Sequence, residues 1–261
     1  MKIPFYQVDA FSSRVFGGNP AAVCLLQSWL EDEILQAIAA ENNLSETAFL
    51  VPKGKSKYAL RWFTPAVEVD LCGHATLASA FVILSFVEPA WPSVDFETIS
   101  GQLSVTRSGE LLSMDFPSRK PEPAAAPPLL SQALGETPLE VLSSRDLMAV
   151  FKDEETIKEM KPDFEKIKQL KDVFGIIVTA RGREYDFVSR YFAPGIGVPE
   201  DPVTGSAHCT LVPYWSEKLG KEHLRAYQLS KRGGEIFCHY QGERVKISGQ
   251  AALYAKGEIC L

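Results

Sequence analysis

Two stretches of this chain are apolar at most positions, whereas the other elements have the one-sided patterns of ordinary surface structure. Residues 75–87 lack a polar face, and residues 207–219 are nearly as apolar. A helix that is apolar all round is buried on every side, and it needs a sheet that curls around it. The pattern therefore predicts two buried helices, each enclosed by strands.

The remaining apolar positions predict strands and one amphipathic helix. Leucine and isoleucine recur at helical spacing between residues 30 and 38, and Ser28 with Glu31 fits a capping box for that helix. The charged run 152–172 predicts helical, solvated structure. Short apolar or alternating runs predict strands at residues 3–10, 21–26, 58–63, 101–107, 111–116, 147–151, 173–180 and 186–192.

A run of nine residues occurs twice and indicates that the chain is built from two related halves. The copies are residues 61–69 and 190–198, and four of the nine positions are identical. Each copy leads to a glycine at the start of a predicted helix, Gly73 in the first half and Gly205 in the second. A later pair of glycines, before predicted strands, repeats at nearly the same separation. We therefore predict two copies of one half-domain, with the active site between them.

A proline-rich segment marks the expected boundary between the halves. Five prolines fall between residues 117 and 128, which predicts an N-terminal lobe of residues 1–117 and a C-terminal lobe of residues 118–249. Residues 250–261 have no counterpart in the other half and are a candidate closing strand that returns to the N-terminal lobe. The alternative for the proline-rich segment is a rigid surface loop inside one domain.

Composition excludes several classes of protein. The net charge of −6, the pI near 5.4 and the lack of a basic stripe argue against a nucleic-acid partner. No apolar run is long enough to cross a membrane, and the first residues lack the apolar core of a signal peptide. The five cysteines form no CxxC pair, so neither a disulfide framework nor a zinc knuckle is expected. The expected location is the cytoplasm.

The two predicted helix starts are candidate binding sites for an anion. A helix N-terminus exposes unpaired N–H groups and a partial positive charge. Gly73, Ala75, Gly205 and Ser206 are small enough to let a ligand approach the backbone there. Because neither start has the lysine of a phosphate loop, we expect a carboxylate rather than a phosphate. Glycine and serine are also common at helix starts that bind nothing, and that alternative stays open.

Three side chains are candidates for proton transfer. Glu46 comes just before an apolar strand and Asp201 precedes Pro202, so each half supplies one acid for a shared cleft. Removing a proton from one position of a substrate and returning it at another needs such groups, which contribute roughly 10²–10⁴-fold each. His74 is a proton carrier, an anion donor or a histidine of the core. Local capping or turn roles are the alternatives for Glu46 and Asp201.

Metal and thiol chemistry are both disfavoured by the spacing of the ligands. No HExxH or comparable pattern occurs, and we predict no metal. Cys72 and Cys209 lie near the two helix starts, but Cys72 precedes its glycine whereas Cys209 follows Gly205. The two cysteines are therefore not a symmetric pair, as a racemase with two catalytic thiols would require.

Several of these segments together resemble one protein family. They are Gly18-Asn19-Pro20, Leu44-Ser45-Glu46-Thr47-Ala48-Phe49, Phe63-Thr64-Pro65, Cys72-Gly73-His74-Ala75-Thr76 and Glu200-Asp201-Pro202-Val203-Thr204-Gly205-Ser206-Ala207. The combination is similar to the phenazine-biosynthesis PhzF family, and especially to its animal branch of MAWD-binding proteins. The likeness runs from the N-terminus to nearly the C-terminus.

The resemblance implies an α+β architecture, the diaminopimelate-epimerase-like fold, with two pseudo-symmetric lobes that are each a mixed β-sheet rolled around a central helix. It also implies an isomerase without a cofactor, often a homodimer. Glu46 matches the glutamate that shuttles a proton within a cyclic diene carboxylic acid, and His74, Asp201 and Ser206 match other active-site positions. Gly73 falls where related epimerases and racemases place a catalytic cysteine, and Asp201 replaces the second one.

The leading hypothesis is therefore an isomerase that transfers a proton within a small carboxylic acid in the cleft between the lobes. Glu46 is the mobile acid–base, while Asp201 and His74 position or polarise the substrate. One alternative is an amino- or hydroxy-acid epimerase or racemase that uses the same residues. Another is a non-catalytic binding or scaffold protein that keeps the fold.

Overall fold

The computed structural model describes residues 1–261, and the chain forms two compact units. The first unit contains Met1–Asp115 together with Ser248–Leu261, and the second contains Phe116–Ile247. The C-terminal segment thus returns to the unit in which the chain begins. Each unit contains both strands and helices.

The helices are interspersed among the strands along the chain. No helix has both the length and the apolar content needed to span a bilayer. The helices are α1 (Asp32–Asn42), α2 (Gly73–Val82), α3 (Leu130–Leu134), α4 (Glu154–Glu159), α5 (Phe164–Ile167) and α6 (Gly205–Leu219). The strands are β1 (Lys2–Ala10), β2 (Asn19–Leu25), β3 (Glu46–Gly54), β4 (Lys57–Phe63), β5 (Glu68–Val69), β6 (Ser93–Thr98), β7 (Gly101–Ser108), β8 (Leu111–Pro117), β9 (Glu122–Pro123), β10 (Glu140–Ser143), β11 (Leu147–Val150), β12 (Ile176–Arg181), β13 (Phe187–Phe192), β14 (His223–Gln228), β15 (Gly234–Gln241), β16 (Arg244–Gly249) and β17 (Ala251–Cys260).

The sheet of the first unit is mixed. β1 pairs in antiparallel fashion with both β2 and β17. β2 and β3 are parallel, β3 and β4 are antiparallel, and β4 and β6 are again parallel. β6, β7 and β8 then form an antiparallel meander. The predicted closing strand is β17, and it completes the sheet beside β1.

Helix α2 lies inside the first unit and is buried along almost its whole length. It contacts β1, β2, β3 and β17, and all of its residues except Gly73 and Phe81 are buried. The helix continues with π-helical geometry over Ile83–Val87, where the last two residues are exposed. The prediction of a buried helix is confirmed, and the exposed end shows that the enclosure stops with the π-helical turn.

Helix α1 covers another part of the same sheet. Its apolar side chains Leu35 and Ile38 pack with Cys24 of β2 and Phe49 of β3 in one buried cluster. The predicted capping box does not form, because the helix begins at Asp32 and its N-cap residue makes no side-chain hydrogen bond. Acidic residues in the first turn favour this start instead, through the positive end of the helix dipole.

The second unit also has a mixed sheet with helices packed against it. β9, β10 and β11 are antiparallel neighbours, β11 and β12 are parallel, and β12 and β13 are antiparallel. β13 and β14 are parallel, and β14 pairs with β15 in antiparallel fashion. α6 contacts β14 and β15. The arrangement of a mixed sheet and a buried helix therefore occurs in both units.

Strand β12 explains why a continuous apolar run forms a strand here. Ile176, Val178 and Ala180 face a buried cluster with α3, α4 and α5. Thr179 points the other way and accepts a hydrogen bond from Nε1 of Trp215 on α6 at 3.0 Å. A strand covered on both faces is apolar at most positions, and the polar Thr179 is tolerated because its hydroxyl is hydrogen-bonded.

The charged run 152–172 forms two short helices rather than one. Asp153 caps α4 by accepting the Thr156 N–H at 2.9 Å, and Asp163 caps α5 by accepting the Lys166 N–H at 3.1 Å. Pro162 lies between the two helices, where a proline interrupts helical hydrogen bonding. The run is also less solvated than its charges suggest, because one apolar side of each helix joins the core.

The arginine that begins each nine-residue run makes similar interactions in both units, although Glu68 lies inside its copy and Glu200 lies two residues after the other. Arg61 makes a two-pronged ion pair with Glu68 at 2.7 Å for both contacts, and Arg190 makes one with Glu200 at 2.7 and 3.0 Å. Each guanidinium also lies 5.0 Å from the ring of the phenylalanine two positions later. Both runs end a strand shortly before a central helix, so the structure supports the predicted duplication.

A proline inside α6 is accommodated by a neighbouring segment. Pro213 has no N–H and leaves the carbonyl of Cys209 without its helical donor. The backbone N–H of Arg119 donates to that carbonyl at 2.9 Å. The proline-rich segment after β8 is thereby hydrogen-bonded to the middle of α6.

We expect His208 to make folding sensitive to acid. His208 lies on α6 with no exposed surface and approaches the Thr204 carbonyl with Nδ1 at 2.9 Å. Burial lowers its pKa to about 4, whereas an unfolded histidine titrates near 6.5. Between these values the unfolded chain binds a proton that the folded chain does not, so stability falls as the pH falls. The loss between pH 7 and pH 4.5 is about 2 kcal/mol.

Urea unfolding at those two pH values measures this contribution. His208→Gln is expected to lose about 2 kcal/mol less on acidification than the unsubstituted protein. The control is Lys171→Gln, at an exposed position after α5, which should follow the unsubstituted protein. An unchanged pH dependence in His208→Gln would contradict the assignment.

Candidate active site

Glu46 is the first residue of β3, and the loop after α1 fixes its position. Asn43 ends α1 in a left-handed conformation with φ of 49°. Asn42 donates from Nδ2 to the hydroxyl of Thr47 at 3.1 Å. In the parallel pairing with β2, Glu46 lies opposite Ala21, and its side chain is 17% exposed. The carboxylate is therefore held at the start of a core strand but still reaches solvent.

The turn before β2 brings Asn19 to the same edge of the sheet. Gly18 has φ of 62°, and a Cβ at this position would lie 2.1 Å from the Ala10 carbonyl oxygen. A residue with a side chain would be strained there, which explains the glycine. Asn19 then begins β2 as Glu46 begins the neighbouring parallel strand. Asn19 is completely buried, with Nδ2 3.2 Å from Nδ1 of His74.

His74 in the first turn of α2 contacts Glu46 directly. Its Nε2 lies 3.0 Å from Oε2 of Glu46, and its side chain is 7% exposed. The two atoms are at ion-pair distance, although their alignment does not meet hydrogen-bond geometry. Helix α2 and strand β3 thus bring together two of the residues that the sequence singles out for proton transfer.

The other imidazole nitrogen of His74 has two polar neighbours. Nδ1 faces the amide of Asn19 and lies 3.5 Å from Sγ of Cys72. When the imidazole is neutral and accepts from the amide at Nδ1, its own proton is on Nε2. That proton faces Glu46. The arrangement therefore directs the exchangeable proton of His74 toward the carboxylate.

Burial and charge act in opposite directions on His74. Burial lowers the pKa of His74, but the effects of Cys72 and Glu46 raise it more, and the resulting pKa lies well above the usual value. Burial also raises the pKa of Cys72 to about 11, so this thiol is neutral at pH 7. The carboxylate of Glu46 is then the neighbour that favours the protonated form of the imidazole.

These side chains also form a group of potential metal ligands. One ligand atom each from Glu46, Cys72 and His74 lies within 4.8 Å of the other two. Cys72 and His74 are two residues apart, whereas Glu46 lies in an earlier segment of the chain. Neither a metal nor a cofactor is required for the carboxylate–imidazole contact itself.

The start of α2 offers its N–H groups without a competing side chain. The N-cap residue, Cys72, makes no side-chain cap hydrogen bond, and Gly73 is only partly buried. Ala75 is completely buried. Because the rest of the helix is enclosed, an approaching ligand meets the backbone at Gly73 and His74 rather than at Ala75.

In the second unit, Gln228 fixes the loop that carries Asp201. Gln228 is completely buried, and its Oε1 accepts the N–H of Thr204 at 2.9 Å. Its Nε2 donates to the Asp201 carbonyl at 2.8 Å. The hydroxyl of Thr204 donates to Oδ2 of Asp201 at 2.5 Å. These bonds hold the Asp201 carboxylate one turn before the start of α6.

Helix α6 begins like α2. Its N-cap residue, Thr204, makes no cap hydrogen bond to the first turn, since its hydroxyl is used by Asp201. Gly205 is buried, whereas Ser206 is partly exposed. The predicted glycine starts of both helices are therefore correct, and in each first turn one small residue is accessible.

Sequence reasoning did not assign roles to three residues of these sites. Asn19 was part of a recognisable segment, but nothing in the sequence connects it with His74. Cys72 drew attention only as a possible thiol catalyst, and Gln228 gave no signal at all. Asn19 and Gln228 depend on contacts between distant parts of the chain, which no local pattern reports, whereas Cys72 contacts His74 only two residues away.

Comparison with known proteins identifies the same family that the short sequence segments resemble. The family model described as phenazine biosynthesis-like protein, PhzC-PhzF, matches residues 8–257. An uncharacterized isomerase of Pseudomonas aeruginosa is 55% identical over 261 residues, with 100% of both chains covered. The human phenazine biosynthesis-like domain-containing protein is 40% identical over 286 residues, with 99% of both chains covered.

Solved structures give the same answer for the fold. A PhzF family protein of Enterococcus faecalis superposes with a TM-score of 0.98 at 50% identity, over 100% of both chains. A hydroxyproline epimerase of Agrobacterium vitis, at 10% identity, superposes with a TM-score of 0.63 over 99% of this chain and 92% of its own. The diaminopimelate-epimerase-like fold is thus confirmed.

The names of the relatives bear on the enzyme class as well. Two further bacterial relatives, 52% and 48% identical, are also named uncharacterized isomerases. The prediction of an isomerase is confirmed at the level of enzyme class, while these names give no substrate. With a family model that matches nearly the whole chain and relatives of this similarity, the chain belongs to the PhzC-PhzF family of phenazine biosynthesis-like proteins.

Proposed function

We propose that this protein is a cofactor-independent isomerase that transfers a proton within a small carboxylic acid. The observation that carries the proposal is the contact between Glu46 and His74, with 3.0 Å between Oε2 and Nε2. A carboxylate that is partly exposed and adjoins a buried imidazole is suited to general acid–base catalysis. The pair also lies at a helix start without a side-chain cap.

The chemical step needs only the carboxylate and the substrate. Glu46 takes a proton from one carbon, and the electrons of that C–H bond form a new double bond while an existing double bond shifts along the substrate. The carboxylic acid of Glu46 then returns the proton to the carbon that the shift has made electron-rich. Substrate and product contain the same atoms and charge, so the step uses no oxidant or reductant.

The helix starts are suited to binding the carboxylate of the substrate. Unpaired N–H groups in the first turn of a helix bind anions, and we assign this role to the backbone at Gly73 and His74 and at Gly205 and Ser206. Ala75, also singled out from the sequence, is buried and contributes by its small size. In this proposal a phosphate is a poorer ligand, because neither start carries a lysine.

Asp201 has the role of positioning or polarising the substrate. Its carboxylate is oriented by the hydroxyl of Thr204, and its backbone is held by Gln228. The expectation that both helix starts act on one substrate in a cleft stays a prediction. A homodimer and a cytoplasmic location are likewise predictions from the sequence.

Epimerisation is the second candidate, and the fold neighbour named hydroxyproline epimerase favours it. In that case Glu46 and a second group would act on opposite faces of one carbon. A mechanism with two thiols fits poorly, because burial raises the pKa of both Cys72 and Cys209 to about 11. Deuterium from solvent at a stereocentre would indicate epimerisation, whereas deuterium at a different carbon would indicate a double-bond shift.

Glu46→Gln is expected to abolish proton exchange while keeping ligand binding. The amide has nearly the same shape as the carboxylate but cannot accept the proton, so the rate should fall by roughly 10²–10⁴-fold. Proton NMR in D₂O with cyclic diene acids, amino acids and hydroxy acids measures the uptake of deuterium.

Glu41→Gln is the matched control, since Glu41 is an exposed residue of α1. It should exchange at the rate of the unsubstituted protein. If Glu46→Gln kept the full rate, the proposed mechanism would be wrong. If no acid of the panel exchanged but some bound, a binding protein on the same fold would be favoured.

Asp201→Asn is expected to slow the same reaction without unfolding the second unit. Asparagine still accepts the Thr204 hydroxyl, so the loop keeps its shape, but the negative charge is lost. We expect a decrease of about tenfold or more in kcat/KM. Asp172→Asn, at an exposed left-handed position that asparagine tolerates, should leave kcat/KM unchanged. Equal kcat/KM for both variants would remove Asp201 from the mechanism.

A further inference from the structure

We propose that Glu46, Cys72 and His74 form a binding site for Zn²⁺, and that zinc bound there stops the isomerase. The binding half of this inference rests only on the structure, whereas the inhibition half rests on the proposed function. The three residues supply a carboxylate, a thiolate and an imidazole, which are the common ligand types of zinc in proteins. Their ligand atoms already lie within 4.8 Å of one another.

Cys72 and Glu46 each lie close to the spacing of a tetrahedral edge from His74, but from different imidazole nitrogens. With zinc bonds of about 2.3 Å to sulfur and about 2.0–2.2 Å to nitrogen and oxygen, neighbouring ligand atoms lie about 3.4–3.6 Å apart. Cys72 Sγ and His74 Nδ1 are 3.5 Å apart, and His74 Nε2 and Glu46 Oε2 are 3.0 Å apart. Zinc binds one imidazole nitrogen at a time, so one outer ligand must move inward. Shortening the largest distance between ligand atoms from 4.8 Å to the length of a tetrahedral edge takes a movement of roughly 1 Å.

Glu46 is the ligand that can move. Its side chain is partly exposed, whereas the side chains of Cys72 and His74 are buried at the start of α2. Movement of Glu46 also leaves the core strand in place, because the residue stands at the beginning of β3. The site is therefore nearly preformed on a rigid element and is completed by one side chain.

The charges of the ligands balance that of the metal. The carboxylate and the thiolate supply two negative charges, and Zn²⁺ supplies two positive charges. As the Zn–S and Zn–N bonds form, the thiol of Cys72 releases its proton to solvent, and a protonated His74 releases the proton of the nitrogen that takes the metal. A neutral complex can be buried at much smaller cost than an isolated ion.

The ligand set also determines which metals bind. Thiolate and imidazole favour Zn²⁺ and Co²⁺ over Mg²⁺ and Ca²⁺, which prefer oxygen ligands. Only three protein ligands are present, so the fourth position of a tetrahedral ion is open to water or to a carboxylate. Zinc would occupy Glu46 and His74 and remove both from proton transfer.

Cobalt titration of the purified full-length protein tests the site without reference to activity. Co²⁺ bound to a thiolate in tetrahedral geometry gives a sulfur-to-metal absorption band and strong visible bands. We expect one Co²⁺ per chain with this spectrum, and displacement of Co²⁺ by Zn²⁺ but not by Mg²⁺. Cys72→Ser should lose the sulfur band and bind Co²⁺ at least about tenfold more weakly, as even the loss of an outer partner costs about 10–100-fold.

Cys209→Ser is the matched control, because Cys209 is a buried cysteine near the other helix start. It should keep the whole spectrum. Urea unfolding curves of both variants serve to check that they are folded. No sulfur band in the unsubstituted protein, or a band that survives in Cys72→Ser, would overturn the site. If an acid of the panel exchanges a proton for deuterium, Zn²⁺ should stop this exchange and a chelator should restore it. Exchange by Cys72→Ser should resist inhibition by Zn²⁺. A panel without exchange would count against the proposed function and leave the cobalt spectrum to decide the site.

Discussion

A helix that is enclosed by its own sheet can meet a ligand only at its ends. Helices α2 and α6 are buried along almost their whole length, and in each the first turn contains a partly accessible small residue. The N-terminal end is also the end where backbone N–H groups have no helical partner. Enclosure by the sheet therefore buries the middle of each helix and leaves its start accessible. The candidate chemistry of each unit lies at that start.

Much of the fold was visible in the sequence because it depends on local pattern. The all-round apolar character of residues 75–87 predicted an enclosed helix, and β12 showed a continuous apolar run because both of its faces are covered. The expected helix starts at Gly73 and Gly205 were also correct. The capping box at Ser28 failed because a four-residue signal does not decide where a helix begins when acidic residues in the first turn favour a start at Asp32.

Only part of the candidate site could be predicted from the sequence. Residues in recognisable local segments were predicted, whereas contacts between residues distant in sequence were not. Glu46, His74 and Asp201 stand in short segments with a recognisable composition, so the sequence could single them out. The contact of Asn19 with His74 depends on the turn at Gly18, and the role of Gln228 depends on the placement of β14 beside the loop before α6. Such contacts join positions that are separated by whole elements, and a single sequence does not report them.

The hydrogen bond between Arg119 and the Cys209 carbonyl links two parts of the second unit that are far apart in sequence. The amide proton of Arg119 is held by a helix to which its own residue does not belong. It is available to solvent only when the proline-rich segment separates from α6. Pro213 removes the N–H that would otherwise compete for the Cys209 carbonyl inside the helix. The proline-rich segment and α6 therefore share a hydrogen bond, and they should open together as one cooperative unit in hydrogen exchange.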